Sequence, residues 1–211
     1  MNNKEIGVFF PGGLHFWKFK ENQLKSMVEY NINLPITAPI ILDIGANIGV
    51  FSRWASKKWT DATIYAYEPI RDNFNVLIKT VEGLNVIPLN VAVRENGGTD
   101  VMYLGKNNCG EASFFDLGEQ ADETEKVKVM DAALLPRADI IKIDTEGCEL
   151  EILKEIDLSG AKAIMVELHR KGDLILALSL LHEFNLVSCI MVFLERWVVK
   201  FIRGSVIYKG F

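Results

Sequence analysis

Three groups of residues in this 211-residue chain have the types and spacing to do chemistry. The first is the stretch ILDIGANIG at residues 41–49, an apolar run that enters a glycine turn of the form D-x-G-x-x-x-G. Glycines at such a turn let a ligand approach the backbone closely. A dinucleotide would want G-x-G-x-x-G, with its pyrophosphate on a helix N-terminus and few anions nearby. Here the third glycine of that pattern is missing, and Asp43 would repel a pyrophosphate while attracting the ammonium of an amino-acid-like ligand. Glu68 ends the next apolar run, where an acidic side chain can accept both hydroxyls of a ribose. Alone, the turn could be a tight strand-to-helix connection and Glu68 an acid favouring a helix N-terminus. Together they point to S-adenosylmethionine rather than a nicotinamide cofactor.

The second group is KIDTEGCE at residues 142–149, placed where a later strand ends. Asp144 is the candidate for a functional carboxylate there. Glu146 is open between a role in the site and a structural one, since Thr145 could cap the next helix while Glu146 and Glu149 satisfy its dipole. The third group is Glu167-Leu168-His169, in which residues i and i+2 of a strand project from one face. A carboxylate beside an imidazole can hold one tautomer and raise its basicity, as a general base for a hydroxyl substrate requires. The candidate catalytic set is therefore Asp144, His169 and Glu167, with a purely structural Glu-x-His pair as the alternative. A metal site built from Asp144, Glu167 and His169 is a further alternative, and no metal is assigned. His15 reads as a surface residue, and His182 as compensation for a helix dipole.

These groups need elements to position them. From Ile40 onward, short apolar runs alternate with helical periodicity, the pattern of a parallel sheet covered by helices on both faces. Strands are expected at residues 40–44, 63–67, within 85–93, at 139–144 and at 161–168. Helices should bury Ile48, Phe51 and Ala55, then Phe74, Leu77, Ile78 and Val81 with Pro69 in the first turn, and later Leu174, Ala177, Leu178 and Leu181. Residues 94–130 break the alternation with glycines and read as a hairpin-bearing insertion near the ligand. Runs at 187–193 and 198–208 suit a terminal antiparallel hairpin. Residues 1–38 read as an N-terminal lid or cap, with a turn at Pro11-Gly12-Gly13 and a short amphipathic helix carrying Leu24, Met27 and Val28. Residues 39–211 form the ligand-binding domain.

Composition narrows the function classes. With 23 Lys+Arg against 28 Asp+Glu the net charge is −5, so the strong basic excess of a nucleic-acid binder is missing. Arg196, Lys200 and Arg203 form only a thin cluster, and Trp17, Trp54, Trp59 and Trp197 read as packing residues rather than a stacking array. Cys109, Cys148 and Cys189 include no C-x-x-C pair, which favours a reducing compartment over a zinc site or dithiol. The first seven residues lack a leader's apolar core, and the run at 186–194 is half a membrane span. The expectation is a cytoplasmic protein with a small-molecule partner, without nucleic acid or membrane.

The chain resembles the FkbM-type methyltransferases of the Rossmann-like S-adenosylmethionine-dependent superfamily. ILDIGANIGVFS (41–52), IYAYEP (64–69), LNVAV (89–93), IIKIDTEGCELEIL (140–153) and IMVELH (164–169) carry the resemblance, in the family's order. It implies a class I methyltransferase fold, a mostly parallel seven-stranded α/β sheet with a C-terminal antiparallel hairpin and helices on both faces. It further implies that Asp43, Gly45, Ala46, Asn47 and Gly49 line the methionine and ribose portion of S-adenosylmethionine. Glu68 would bind the ribose hydroxyls, Asn90 to Ala92 would approach the adenine, and Asp144 would face the methyl. The activity implied is methylation of a hydroxyl on a sugar or natural-product-like acceptor, leaving S-adenosylhomocysteine. Cys148 stands where a smaller residue is expected. The rival readings are a non-catalytic S-adenosylmethionine-binding module and, behind it, an NAD-dependent oxidoreductase.

Overall fold

The computed structural model describes residues 6–8, 17–19, 30–105, 112–115, 121–170, 172–193 and 196–203. Strands β1 (Ile6–Val8) and β2 (Trp17–Phe19) pair antiparallel. The expected turn at Pro11, the helix around Leu24, and His15 lie outside the described residues.

The main sheet begins with β3 (Ile40–Ile44), α1 (Val50–Lys58), β4 (Thr63–Tyr67), α2 (Arg71–Thr80) and β5 (Val86–Leu89). β3 buries every residue after Ile40, as a strand covered on both faces must. Its alternation divides the core. Ile41 packs with Phe51, Trp54 and Ala55 of α1, together with Tyr30, Ile32 and Trp59, whereas Leu42 and Ile44 face the opposite layer.

Two expectations about α2 need correction. Pro69 lies outside the helix, because the chain stays extended through Ile70, whose amide the Glu68 carboxylate holds at 2.9 Å. The buried face carries Asn73, Leu77, Thr80 and Val81 with Phe74 packed partly buried beside them, as expected for Phe74, Leu77 and Val81, but Ile78 on the flank of the stripe is 44% exposed.

The strand expected within residues 85–93 is divided. After β5 the chain turns at Asn90, whose side-chain amide donates to the carbonyls of Glu68 and Pro69 at 2.9 and 2.7 Å. β6 (Ala92–Arg94) then joins β7 (Gly98–Gly105), β8 (Ala112–Ser113) and β9 (Ala121–Asp131) in a second sheet ordered β6-β9-β7-β8. The insertion is thus built on a β7/β9 antiparallel hairpin, and Met102 and Val127 pack with Ala92 and Ile70.

The alternation resumes with β10 (Ile140–Ile143), α3 (Glu149–Glu155), β11 (Ala163–Leu168), α4 (Asp173–Leu180), β12 (Asn185–Phe193) and β13 (Arg196–Ile202). Ile152 and Leu153 of α3 and Ala177 of α4 cover the Leu42/Ile44 face. Leu178, expected on the buried stripe of α4, is 37% exposed, since the helix uses Asp173, Ala177 and the following Leu181 inward.

The sheet has seven strands ordered β12-β13-β11-β10-β3-β4-β5. β13 runs antiparallel to β11 and pairs with β12 as the terminal hairpin, while β11, β10, β3, β4 and β5 are mutually parallel. The chain builds outward from β3 to β5 and then from β10 to β11 in the other direction. The order therefore reverses between β3 and β10, and a crevice opens there at the carboxyl ends of the strands. Among the described residues no helix is long and apolar enough to cross a membrane.

Candidate active site

Gly45 sits at this reversal with φ +77°, and a Cβ there would lie 1.8 Å from the carbonyl oxygen of Asp144. Only glycine lets the ends of β3 and β10 meet this closely. The turn satisfies its own backbone: Gly45 and Ala46 donate to Tyr67 O, Asn47 donates to Glu68 Oε2 at 2.8 Å, Ile48 to Asn47 Oδ1, and Gly49 to Ala46 O. A pyrophosphate would find a carboxylate where it needs free amides, which disfavours a dinucleotide there. Gly49, also left-handed, abuts Leu77, and its role is the backbone turn into α1.

Glu68 is 4% exposed, with its two oxygens on the Asn47 and Ile70 amides and Asn73 at 3.4 Å. Burial pushes its carboxyl up to about 7, against the pull of those donors and of Lys142. Glu68, Gly45 and Asn47 line a cleft of about 590 Å³, counted to its open mouth, which Ala92, Met102 and Phe114 close on the apolar side. Asp144, Thr145 and Glu146 border it as well. Asp43, Ala46, Gly49, Asn90, Glu167 and His169 do not line it. Asp43 is fully buried, accepting from Ser52 Oγ at 2.6 Å and pairing with Lys142 Nζ at 3.3 Å.

Lys142 was not singled out by sequence. From mid-strand in β10 its ammonium donates to Gly45 O at 2.6 Å and lies 3.5 Å from Asp144 Oδ2. Burial pulls its pKa down, but Asp43 and Asp144 overcome this and hold it above the ordinary lysine value.

His169 is oriented by a different carboxylate from the one its sequence neighbourhood suggests. Glu149 Oε1, on the first residue of α3, sits 3.0 Å from His169 Nδ1, while Glu167 Oε1 lies 3.6 Å from Nε2. Glu149 has no exposed surface, and the same oxygen accepts from the amides of Thr145 and Gly147 at 3.0 and 2.9 Å. Burial alone would raise its pKa, but His169 and the Gly147 amide hold it below the usual range. Thr145 consequently donates its hydroxyl to Glu149 rather than capping α3, whose N-cap is Cys148. This arrangement holds the 144–149 loop against β11, with Glu146 in the left-handed region at φ 57°. Burial works against charge on His169, yet Glu149, Glu146 and Asp144 raise its pKa to about 9.

The structure brings Asp144, Glu167 and His169 together, each with an atom within 4.8 Å of the others. Tyr30, which sequence reasoning also missed, places its hydroxyl 2.9 Å from Glu167 Oε2 and 3.3 Å from Asp144 Oδ2. Its ring packs edge-on against Phe51. Cys148 is buried in the core, where burial lifts its thiol to about 12 and leaves it unreactive.

Residues 43–185 match the family model described as the methyltransferase FkbM domain. The chain belongs to the FkbM methyltransferase family. It is 31% identical to the methyltransferase sdnD of Sordaria araneosa over 59% of this chain and 62% of that one. It is 27% identical to the hexuronic acid methyltransferase AglP of Haloferax volcanii over 64% of this chain and 57% of that one. The chain thus spans about three fifths of the length of these two relatives. The solved FkbM methyltransferase of Methylobacillus flagellatus matches its fold with a TM-score of 0.56 at 16% identity, over 80% of this chain and 44% of that one.

Proposed function

We propose that this FkbM-family chain is an S-adenosylmethionine-dependent O-methyltransferase acting on a hydroxyl of a sugar or small natural-product-like acceptor. The observation that carries the reading is Glu68: a buried carboxylate at the end of β4, facing a cleft whose glycine turn has no amide to spare for phosphate. The donor set fits S-adenosylmethionine, since the cleft combines a ribose acceptor in Glu68, apolar Val91, Ala92, Met102 and Phe114 for a purine, and the carboxylates of Asp144 and Glu146 for a cationic group. In this reading Gly45 and Asn47 hold the methionine and ribose portion, and Ala46 and Gly49 fix the turn that presents them. Glu68 takes the ribose hydroxyls, and Val91 and Ala92 lie against the adenine. Asn90 and Asp43 act as positioning residues, one fixing the Glu68–Pro69 corner and the other fixing Lys142.

When bound, S-adenosylmethionine supplies an electrophilic methyl group on a sulfonium. The chain's part is alignment and exclusion of water. Asp144 belongs both to the cleft and to the Glu167–His169 cluster, so we place it nearest the reacting acceptor oxygen, where its carboxylate accepts the hydroxyl's hydrogen bond and takes that proton as the oxygen bonds the methyl carbon and the methyl–sulfur bond breaks. His169 Nδ1 is held by Glu149, and the ring shapes the acceptor side. The relative that methylates hexuronic acid supports a sugar-like acceptor.

The test is calorimetric titration with S-adenosylmethionine and S-adenosylhomocysteine, followed by methyl transfer to a panel of hexuronic acids and polyols. Saturable binding weakened by Glu68→Ala, with turnover on a hydroxyl acceptor, is expected. Folded protein that binds neither compound would overturn the reading. Binding without turnover on any hydroxyl would favour a module that binds S-adenosylmethionine without catalysis.

A further inference from the structure

The side chains at the carboxyl ends of β10 and β11 are arranged as ligands around a point. Asp144, Glu167 and His169 each offer an atom within 4.8 Å of the other two. Around one ion, at bond lengths of roughly 2.0–2.2 Å, ligand atoms lie no more than about 4.4 Å apart. Side-chain shifts of a few tenths of an ångström would close the set.

His169 supplies the second, independent observation. Its side chain is 7% exposed, and its Nε2 is buried without a hydrogen-bond partner. That nitrogen points among the carboxylates of Glu146, Asp144 and Glu167, at 3.4, 3.6 and 3.6 Å. A buried ring nitrogen left without a hydrogen bond is rare. A cation at the centre would satisfy it.

The outer contacts match those that orient metal ligands. Glu149 holds the far nitrogen of the imidazole, the carboxylate–histidine arrangement that fixes which nitrogen faces a metal. The Tyr30 hydroxyl donates its one proton to Glu167 Oε2, the nearer at 2.9 Å, and lies 3.3 Å from Asp144 Oδ2, so the other oxygen of each carboxylate faces Nε2. The local charge agrees. Among the described residues the carboxylates of Asp43, Asp144, Glu146, Glu149 and Glu167 gather around Lys142 and His169, an acidic setting that favours a cation.

We propose that Asp144, Glu167 and His169 bind one divalent transition-metal ion of the Mn²⁺ or Zn²⁺ kind, with Tyr30 and Glu149 as positioning residues. The imidazole favours a transition-metal ion such as Zn²⁺ over Mg²⁺ or Ca²⁺, and the two carboxylates also suit Mn²⁺. Three protein ligands leave open positions beside the cleft that Asp144 lines. Resting on the proposed methyl transfer, this names the acceptor class: a molecule offering two adjacent oxygens, such as a vicinal diol, of which one is methylated.

The test uses chelator-treated full-length protein and Mn²⁺ alone. Titration followed by electron paramagnetic resonance should give one site per chain, with imidazole-nitrogen modulation in the electron-spin-echo spectrum. His169→Gln should abolish the modulation, Glu167→Gln should weaken binding by more than about tenfold, and Tyr30→Phe by about tenfold. Circular dichroism checks that each variant folds. If His169→Gln fails to fold, the wild-type modulation together with the Tyr30→Phe weakening decides the matter. No stoichiometric binding below millimolar Mn²⁺, or binding unchanged in Glu167→Gln and Tyr30→Phe, overturns the site. S-adenosylhomocysteine titration of the metal-free protein is run beside it. Its failure would overturn the methyl-transfer reading and leave the metal result standing.

Discussion

Cofactor affinity should depend on pH through one residue. Glu68 follows β4 and is 4% exposed, and burial raises its carboxyl to about 7. A carboxylate accepts two ribose hydroxyls better than a carboxylic acid, so the binding-competent fraction is the ionised one. That fraction rises from about 0.1 at pH 6 to about 0.9 at pH 8, and apparent affinity for S-adenosylhomocysteine should rise about tenfold across that range, about 1.4 kcal/mol. At pH 7 about half a proton should be released per ligand bound, read from titrations in two buffers of different ionisation enthalpy. Glu68→Gln should bind more weakly at pH 8 and show a flat profile. A wild-type affinity that stays constant from pH 6 to 8 would show that the Asn47 and Ile70 amides keep Glu68 ionised and that burial does not dominate. If Glu68→Gln binds as tightly as wild type at pH 8, Glu68 is not the ribose acceptor.

Three further outcomes follow from the same geometry. Gly45→Ala, which puts a Cβ 1.8 Å from the Asp144 carbonyl oxygen at φ +77°, should cost at least ~3 kcal/mol in urea unfolding. Gly83→Ala, at φ +76° with open space around it, should cost only ~1–2 kcal/mol, and equal costs would refute the steric account. Glu149→Ala leaves the Thr145 and Gly147 amides and His169 without their acceptor and should cost ~3–5 kcal/mol, whereas Glu149→Gln keeps an acceptor oxygen and should cost less than half as much. The pKa of His169, raised from 6.5 to about 9, stabilises the metal-free fold fully below pH 6.5 and progressively less as pH rises through 9. Between pH 6.5 and 9.5, wild type should therefore lose up to about 3 kcal/mol more than His169→Gln, and parallel curves would refute the shift.

The parallel strands were legible because burial on both faces leaves a continuous apolar run with no alternation to misread, and Ile40–Ile44 and Thr63–Tyr67 end where that reading puts them. Helix faces were less legible. The stripe through Ile78 follows ideal spacing from a start at Pro69, but α2 begins only after Glu68 has taken the Ile70 amide. A hydrogen bond to a functional side chain thus sets where the helix begins, and periodicity alone carries no record of that or of which flank of the stripe meets the sheet. The break at Asn90 is similar, since an amide side chain satisfying two carbonyls looks in sequence like any polar residue in a strand.

The candidate site divides along the same line. Residues on a strand end or glycine turn, such as Gly45, Glu68 and Asp144, declare themselves because backbone geometry demands their type at that place. Residues that act across the fold do not. Lys142 sits inside β10, flanked by isoleucines, and its reach to Gly45 O and Asp43 appears only when β3 lies beside it. Glu149 satisfies every rule for an acid in the first turn of α3, so the dipole explanation was complete without His169, 20 residues later on another strand. Tyr30 is 114 residues from Asp144 and 137 from Glu167, in a segment with no motif of its own. Each of these three side chains orients or neutralises another polar side chain rather than offering itself to a ligand. A role of that kind is defined by a partner's position, which becomes readable only once β3, β10 and β11 are side by side.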